Sequence, residues 1–153
     1  MKAGCTKWKA SLSIYGKISR YLHPECYFCN AMITHLVISK GTEMLRVPVS
    51  RLVYVSADGN YANVVTQDNR SQMVSFQLGQ VEDMLADQLG DEGGNFVRLG
   101  RGLIVNTDFV HLVDVSQQRL VLSDCAGCYH ELSASREVLI KLKAYIDATL
   151  NHG

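Results

Sequence analysis

Residues 51–70 read RLVYVS, ADGN, YANVVT and QDNR in succession. Two runs rich in β-branched and aromatic residues are each followed by a dense turn signal, because Asp, Gly and Asn tolerate the tight backbone angles that such runs avoid. The pattern predicts two β-hairpins in a row. Flanking runs extend it. In residues 34–41, apolar Leu36 and Ile38 alternate imperfectly with polar neighbours. Residues 44–49 (MLRVPV) form a second short run, in which Pro48 suits an edge or a bend because proline has no N–H to give a ladder.

One helix is expected to interrupt the strands. From about Ser75, the residues Leu78, Val81, Met84, Leu85 and Leu89 recur at spacings of three and four, which puts them on one helical face. Ser75 is the expected N-cap, and Gly90 with Gly93 and Gly94 the expected stop. Glu82, Asp83, Asp87, Asp91 and Glu92 occupy the opposite face and the exit. Strands resume in residues 96–106, FVRLGRGLIVN, where two glycines bracket Arg101 ahead of Leu103, Ile104 and Val105. Residues 109–115 and 119–122 predict another hairpin around Ser116, Gln117 and Gln118. The final segment, from Ser135 to Leu150, places Val138, Leu139, Leu142, Ile146 and Leu150 on one side and predicts a C-terminal helix.

Composition bounds the function. A chain of 153 residues suits one compact domain, and 47% hydrophobic residues with balanced charge exclude a disordered chain. Fifteen Lys and Arg against fifteen Asp and Glu would at first argue against a nucleic-acid binder. The zero is a sum of unlike parts. Residues 1–32 hold five basic groups (Lys2, Lys7, Lys9, Lys17, Arg20) and one acid, Glu25, which leaves ten basic and fourteen acidic groups in the remainder. A basic leader therefore precedes an acidic body. Lys17 and Arg20 interrupt the best candidate for a secretory core, residues 12–22, and no stretch approaches the roughly 20 apolar residues that span a bilayer. A cytoplasmic protein without a membrane role is expected. The leader reads as a flexible arm, an acid-poor transit-like segment, or an extension ahead of a start at Met32.

The ordered segments RLVYVSADGNYANVVTQDN, SFQLGQVEDML, FVRLGRGLIVNTDFVHLV, RLVLSD and LSASREVLIKL resemble the LytTR DNA-binding domain of the LytR/AlgR family of bacterial transcription regulators. The resemblance covers roughly residues 33–142. Its most specific pieces are the turn followed by Asn60 and Tyr61, and the FVR-x-x-R-x-x-x-VN pattern of residues 96–106. It implies a mainly β, elongated fold of small packed antiparallel sheets with one short internal helix and a C-terminal helix. On this basis residues 1–32 are the leader, 33–142 the DNA-binding domain, and 143–153 the end of the last helix and a tail. No phosphorylatable receiver domain is expected ahead of it.

The same resemblance implies sequence-specific binding of double-stranded DNA in the service of transcription regulation. Side chains from loops would enter successive major grooves from one side of the duplex: Tyr61 from a first loop, Arg101 from a second, and Arg136 from the segment ahead of the last helix. Asn60 and Asn63 flank the first contact. An arginine such as Arg101 can present a two-pronged donor to the O6 and N7 acceptors of guanine. Its alternative is an ordinary solvated side chain. Arg136 serves a base, a phosphate or its neighbour Glu137, and Tyr61 serves either DNA or half-buried packing. Where the commonest family pattern has histidine, arginine and serine, this chain has Gly100, Arg101 and Gly102, which removes two hydrogen-bonding groups. The resemblance also implies a second copy on a repeated site. A regulatory protein partner is an open expectation, and no cofactor is expected.

Two C-x-x-C pairs support a rival reading. Cys26 with Cys29 and Cys125 with Cys128 would complete a four-thiolate zinc site if the fold brought them together, although the gap between the pairs far exceeds that of a zinc ribbon. In that reading the chain is a zinc-stapled or protein-interaction module that keeps the scaffold and binds DNA weakly. Reduced, unligated thiols are the simpler expectation in a reducing compartment. No catalytic motif is present in the sequence, so an enzyme is not expected. If the domain neutralises about four phosphates, the log–log salt slope of DNA binding should be near −3.6.

Overall fold

The structure is a computed structural model that describes residues 35–151. The leader, with Cys26 and Cys29, lies outside the described residues. The domain opens with a hairpin of β1 (His35–Lys40) and β2 (Glu43–Pro48), turned at Gly41 with φ +61°. Pro48 ends β2 and leads into a short 3-10 turn, Val49–Arg51, which is the bend the proline predicted.

The centre is a five-stranded antiparallel sheet. Its strands are β3 (Leu52–Asp58), β4 (Tyr61–Thr66), β5 (Ser71–Val74), β6 (Phe96–Leu99) and β7 (Leu103–Asn106), in the order β5-β4-β3-β7-β6. Helix α1 (Leu78–Leu89) connects β5 to β6 by way of a 3-10 turn, Gly90–Asn95. A three-stranded sheet follows, built from β8 (Val110–Asp114), β9 (Arg119–Ser123) and β10 (Tyr129–Ser133). Helix α2 (Arg136–Leu150) closes the domain. The hairpins expected at residues 57–60, 67–70 and 116–118 are all present. The architecture is mainly β, with small antiparallel sheets and two helices.

The large sheet is covered on both faces. Leu36, Val47, Val55, Val64, Val81 and Leu85 form one core between the sheet, the first hairpin and α1. Val53, Val105, Leu120, Leu122, Leu139 and Leu142 form a second, between the sheet, the three-stranded sheet and α2. Strict alternation would put Val53 and Val55 on one face. A register shift between Leu52 and Tyr54 separates them: Val53 and Tyr54 both turn to the second core, and Val55 to the first. Leu139 and Leu142 are fully buried, and each contributes about 1.5–3 kcal/mol by leaving water.

Two local expectations need correction, and one strand had no expectation. Helix α1 is capped by Gln77 rather than Ser75: the Gln77 amide accepts from the N3 backbone, and its own N–H donates to Oε1 of Gln80 at 2.9 Å. The carbonyl of Ser75 is taken instead by the ammonium of Lys40, 2.9 Å away, which also lies over the Phe76 ring. Leu150 is 74% exposed because it lies a turn beyond the last packed residue of α2, Ile146. Strand β10 had no periodic apolar signal, since its inward positions are His130 and Leu132 among polar neighbours. Among the described residues, no helix is long and apolar enough to cross a membrane.

Candidate nucleic-acid interface

The expected contact residues gather at one end of the large sheet. Asp58 pairs with Tyr61 across the β3–β4 turn, where Gly59 takes φ +60°. At that same end the Ala57 N–H donates to the Gly102 carbonyl at 2.8 Å, which ties the first turn to the β6–β7 turn. Asn60 is exposed, and its Oδ1 accepts from the Gln77 amide ahead of α1 at 3.3 Å. Tyr61 opens β4, 48% exposed, and engages no hydrogen-bond partner among the described residues. Asn63 lies within β4 rather than in the loop, half-buried between Ser56 and Met73 on the neighbouring strands.

Arg101 sits at the tip of the β6–β7 turn, exposed, and its side chain has no partner among the described residues. The turn itself is held. Gly100 takes φ +63°, a left-handed conformation that favours glycine, and Val138 of α2 lies against it. The Arg98 guanidinium donates to the carbonyls of Gly100 (2.9 Å) and Arg101 (3.0 Å) and to the Glu82 carboxylate (2.7 Å). In the sequence, Arg98 stands out only as part of the FVR pattern. The signal that would have found it is a second arginine three residues before the loop arginine, close enough to reach back onto the turn.

Arg136 is the first residue of α2, exposed, with Nη2 at 3.4 Å from the Ser116 carbonyl. The Ala134 N–H donates to the Gln118 carbonyl, so the lead-in to α2 is joined to the β8–β9 turn. Asp114 organises that turn: the Ser116 hydroxyl and the Gln117 N–H donate to it, and they hold its carboxyl below the usual range. The structure therefore brings the first turn, Arg101 and Arg136 to a common edge. Asn63 stands two strand positions back from Tyr61. Two acids, Asp58 and Glu137, are exposed beside these groups.

The second cysteine pair lies at the other end of the fold. Cys125 is exposed, with its sulfur 3.6 Å from Nδ1 of His111. Cys128 is 2% exposed within the second core, where burial and then the nearby Asp124 carboxylate push its thiol pKa up. Among the described residues, no three His, Cys, Asp or Glu side chains are grouped to hold a metal.

The family model of the LytTr DNA-binding domain matches residues 42–147. The chain belongs to the LytTR family. That match takes in Asn60, Tyr61, Asn63, Arg101 and Arg136, and runs from the turn between β1 and β2 into the body of α2. The LytTR family is one of DNA-binding domains rather than enzymes. Among solved structures, a LytTr DNA-binding domain from Bacillus cereus is similar in fold, with a TM-score of 0.51 and 16% identity. The similarity covers 75% of this chain and 98% of that one. The comparison with curated proteins gives no match.

Proposed function

We propose that this LytTR domain binds double-stranded DNA sequence-specifically through loop side chains in the major groove, and so regulates transcription. The observation that carries the reading is the common edge, where Tyr61 and Arg101 are exposed and unengaged among the described residues and Arg136 stands at the start of a helix. Arg101 reads a base, most simply guanine through a bidentate contact. Arg136 contacts a base or clamps a phosphate, and Asn60, Tyr61 and Asn63 line the approach. The domain works in two copies on a repeated site, in the cytoplasm, and a regulatory protein is a further partner.

Charge sets the character of the binding. Residues 35–151 carry ten basic and fourteen acidic groups, so bulk attraction to phosphate is weak and base contacts with pairing of copies carry the affinity. Selection from a random duplex pool tests the reading. One motif should be enriched at moderate salt, and Arg101→Ala and Arg136→Ala should each weaken binding to it. A pool without enrichment, together with unchanged binding by both variants, contradicts it.

A further inference from the structure

Arg98 is the third residue of β6, an edge strand, and pairs in register with Ile104. Every nitrogen of its guanidinium is engaged. Nε and Nη2 donate to two consecutive carbonyls of the second loop, those of Gly100 and Arg101, while Nη1 donates to Glu82. Glu82 is on the outer side of α1, whose inner side (Leu78, Val81, Leu85, Leu89) is buried in the first core. A continuous line of fixed contacts thus runs from the core through α1 and Glu82 to the backbone that carries Arg101.

We propose that Arg98, anchored by Glu82, is a positioning residue that fixes the loop from which Arg101 reads its base. The proposal rests on the reading of Arg101 given above. Two glycines flank Arg101, and a loop so flexible would lose much conformational freedom if it were ordered only on binding. The planar guanidinium removes that cost in advance, since one rigid fork spans two carbonyls and a carboxylate at once. Lysine offers a point charge and cannot make the same set of bonds. Pairing with Glu82 also offsets the charge of Arg98. Arg98 therefore orders the loop without serving as a phosphate contact.

The test uses the whole chain with Arg98→Ala and Arg98→Lys, each alone and combined with Arg101→Ala. Binding is measured over a salt series on the duplex that wild type selects and on an unrelated duplex of equal length. Arg98→Ala should lower affinity for the selected duplex about tenfold, the scale of one good bidentate base contact. It should leave the unrelated duplex and the salt slope unchanged, and cost little more once Arg101 is already alanine. Arg98→Lys should fall between wild type and Arg98→Ala. In the free protein, the amide order parameter of Arg101 should drop from about 0.85 toward 0.6.

Equal loss on both duplexes with a slope shallower by about 0.9 would make Arg98 a phosphate contact and overturn the proposal. Additive losses in the double variant would overturn it as well. If wild type selects no duplex, base reading by Arg101 fails, and the free-protein measurement still judges Arg98: a loosened loop supports its positioning role and a rigid one refutes it.

Discussion

Where β3 begins, polar side chains are spent on neighbouring turns; where it finishes, Tyr61 and Arg101 are left exposed. At the first end the Gln67 amide donates to Asp124 at 2.7 Å, and the Asn69 amide to the Gly127 carbonyl at 2.9 Å. Oδ1 of Asp124 also accepts from the N–H groups of Ala126, Gly127 and Cys128. Nearby, the buried amide of Asn106 donates to the Leu52 carbonyl and accepts from the Asp108 N–H. The Gln67 and Asn69 bonds join the β4–β5 turn to the β9–β10 turn, and those of Asn106 tie the end of β7 to the start of β3. At the opposite end backbone bonds from Ala57 to Gly102 and from Ala134 to Gln118 join the turns, Asn60 and Arg98 bond to neighbouring groups, and the side chains of Tyr61 and Arg101 engage nothing among the described residues. One end holds the sheets together, and the other leaves Tyr61 and Arg101 exposed.

The contrast breaks most easily at Asn106. Asn106→Ala would leave one buried carbonyl and one partly buried N–H unpaired, a loss of about 2–3 kcal/mol in urea unfolding. DNA selectivity of the folded fraction should be unchanged. A loss of selectivity at unchanged stability would invert the assignment of the two ends.

Acid should weaken the holding end first. The Gln67 amide, and then backbone N–H donors, keep the Asp124 carboxyl far below the usual carboxylate range. Its folded pKa lies below the unfolded one. The stability it contributes is therefore complete above the ordinary aspartate value and is lost as pH falls through the depressed one. His130 acts in the same sense at higher pH, since burial lowers its imidazole pKa and its Nε2 is buried without a partner among the described residues. Urea midpoints recorded against pH should fall on the acid side, and Asp124→Asn should flatten the lowest part of the curve. An unchanged curve in that variant would remove Asp124 from the holding end.

The smallest expected effect lies at the presenting end. If Arg136 clamps a phosphate, Arg136→Ala should make the salt slope of binding shallower by about 0.9 and weaken all duplexes alike. A loss confined to the selected duplex would make it a base contact instead.

Much of this arrangement was legible in the sequence, for physical reasons that differ by element. The strands around residues 57–60 and 67–70 announced themselves because β-branched runs and turn residues act locally. Helix α1 was visible from its apolar spacing, but its cap was misplaced: Gln77 and Gln80 cap reciprocally, while Ser75 has the better local propensity. Strand β10 was invisible because, although its burial alternates, one of its two inward positions is His130, packed against the Tyr54 ring, and only Leu132 is apolar. The loop arginines could be named from the resemblance. The clamp of Arg98 and the inward amide of Asn106 could not, because both depend on carbonyls brought close only by the fold.

The most direct measurement crosses the two ends. Arg101→Ala and Asn106→Ala are each assayed for urea stability and for the ratio of affinities between the selected and an unrelated duplex. Arg101→Ala should lower that ratio about tenfold or more with stability within about 0.5 kcal/mol of wild type, and Asn106→Ala should do the reverse. An Arg101→Ala protein that keeps the wild-type ratio, or that loses stability as Asn106→Ala does, would contradict the division between a holding end and a reading end.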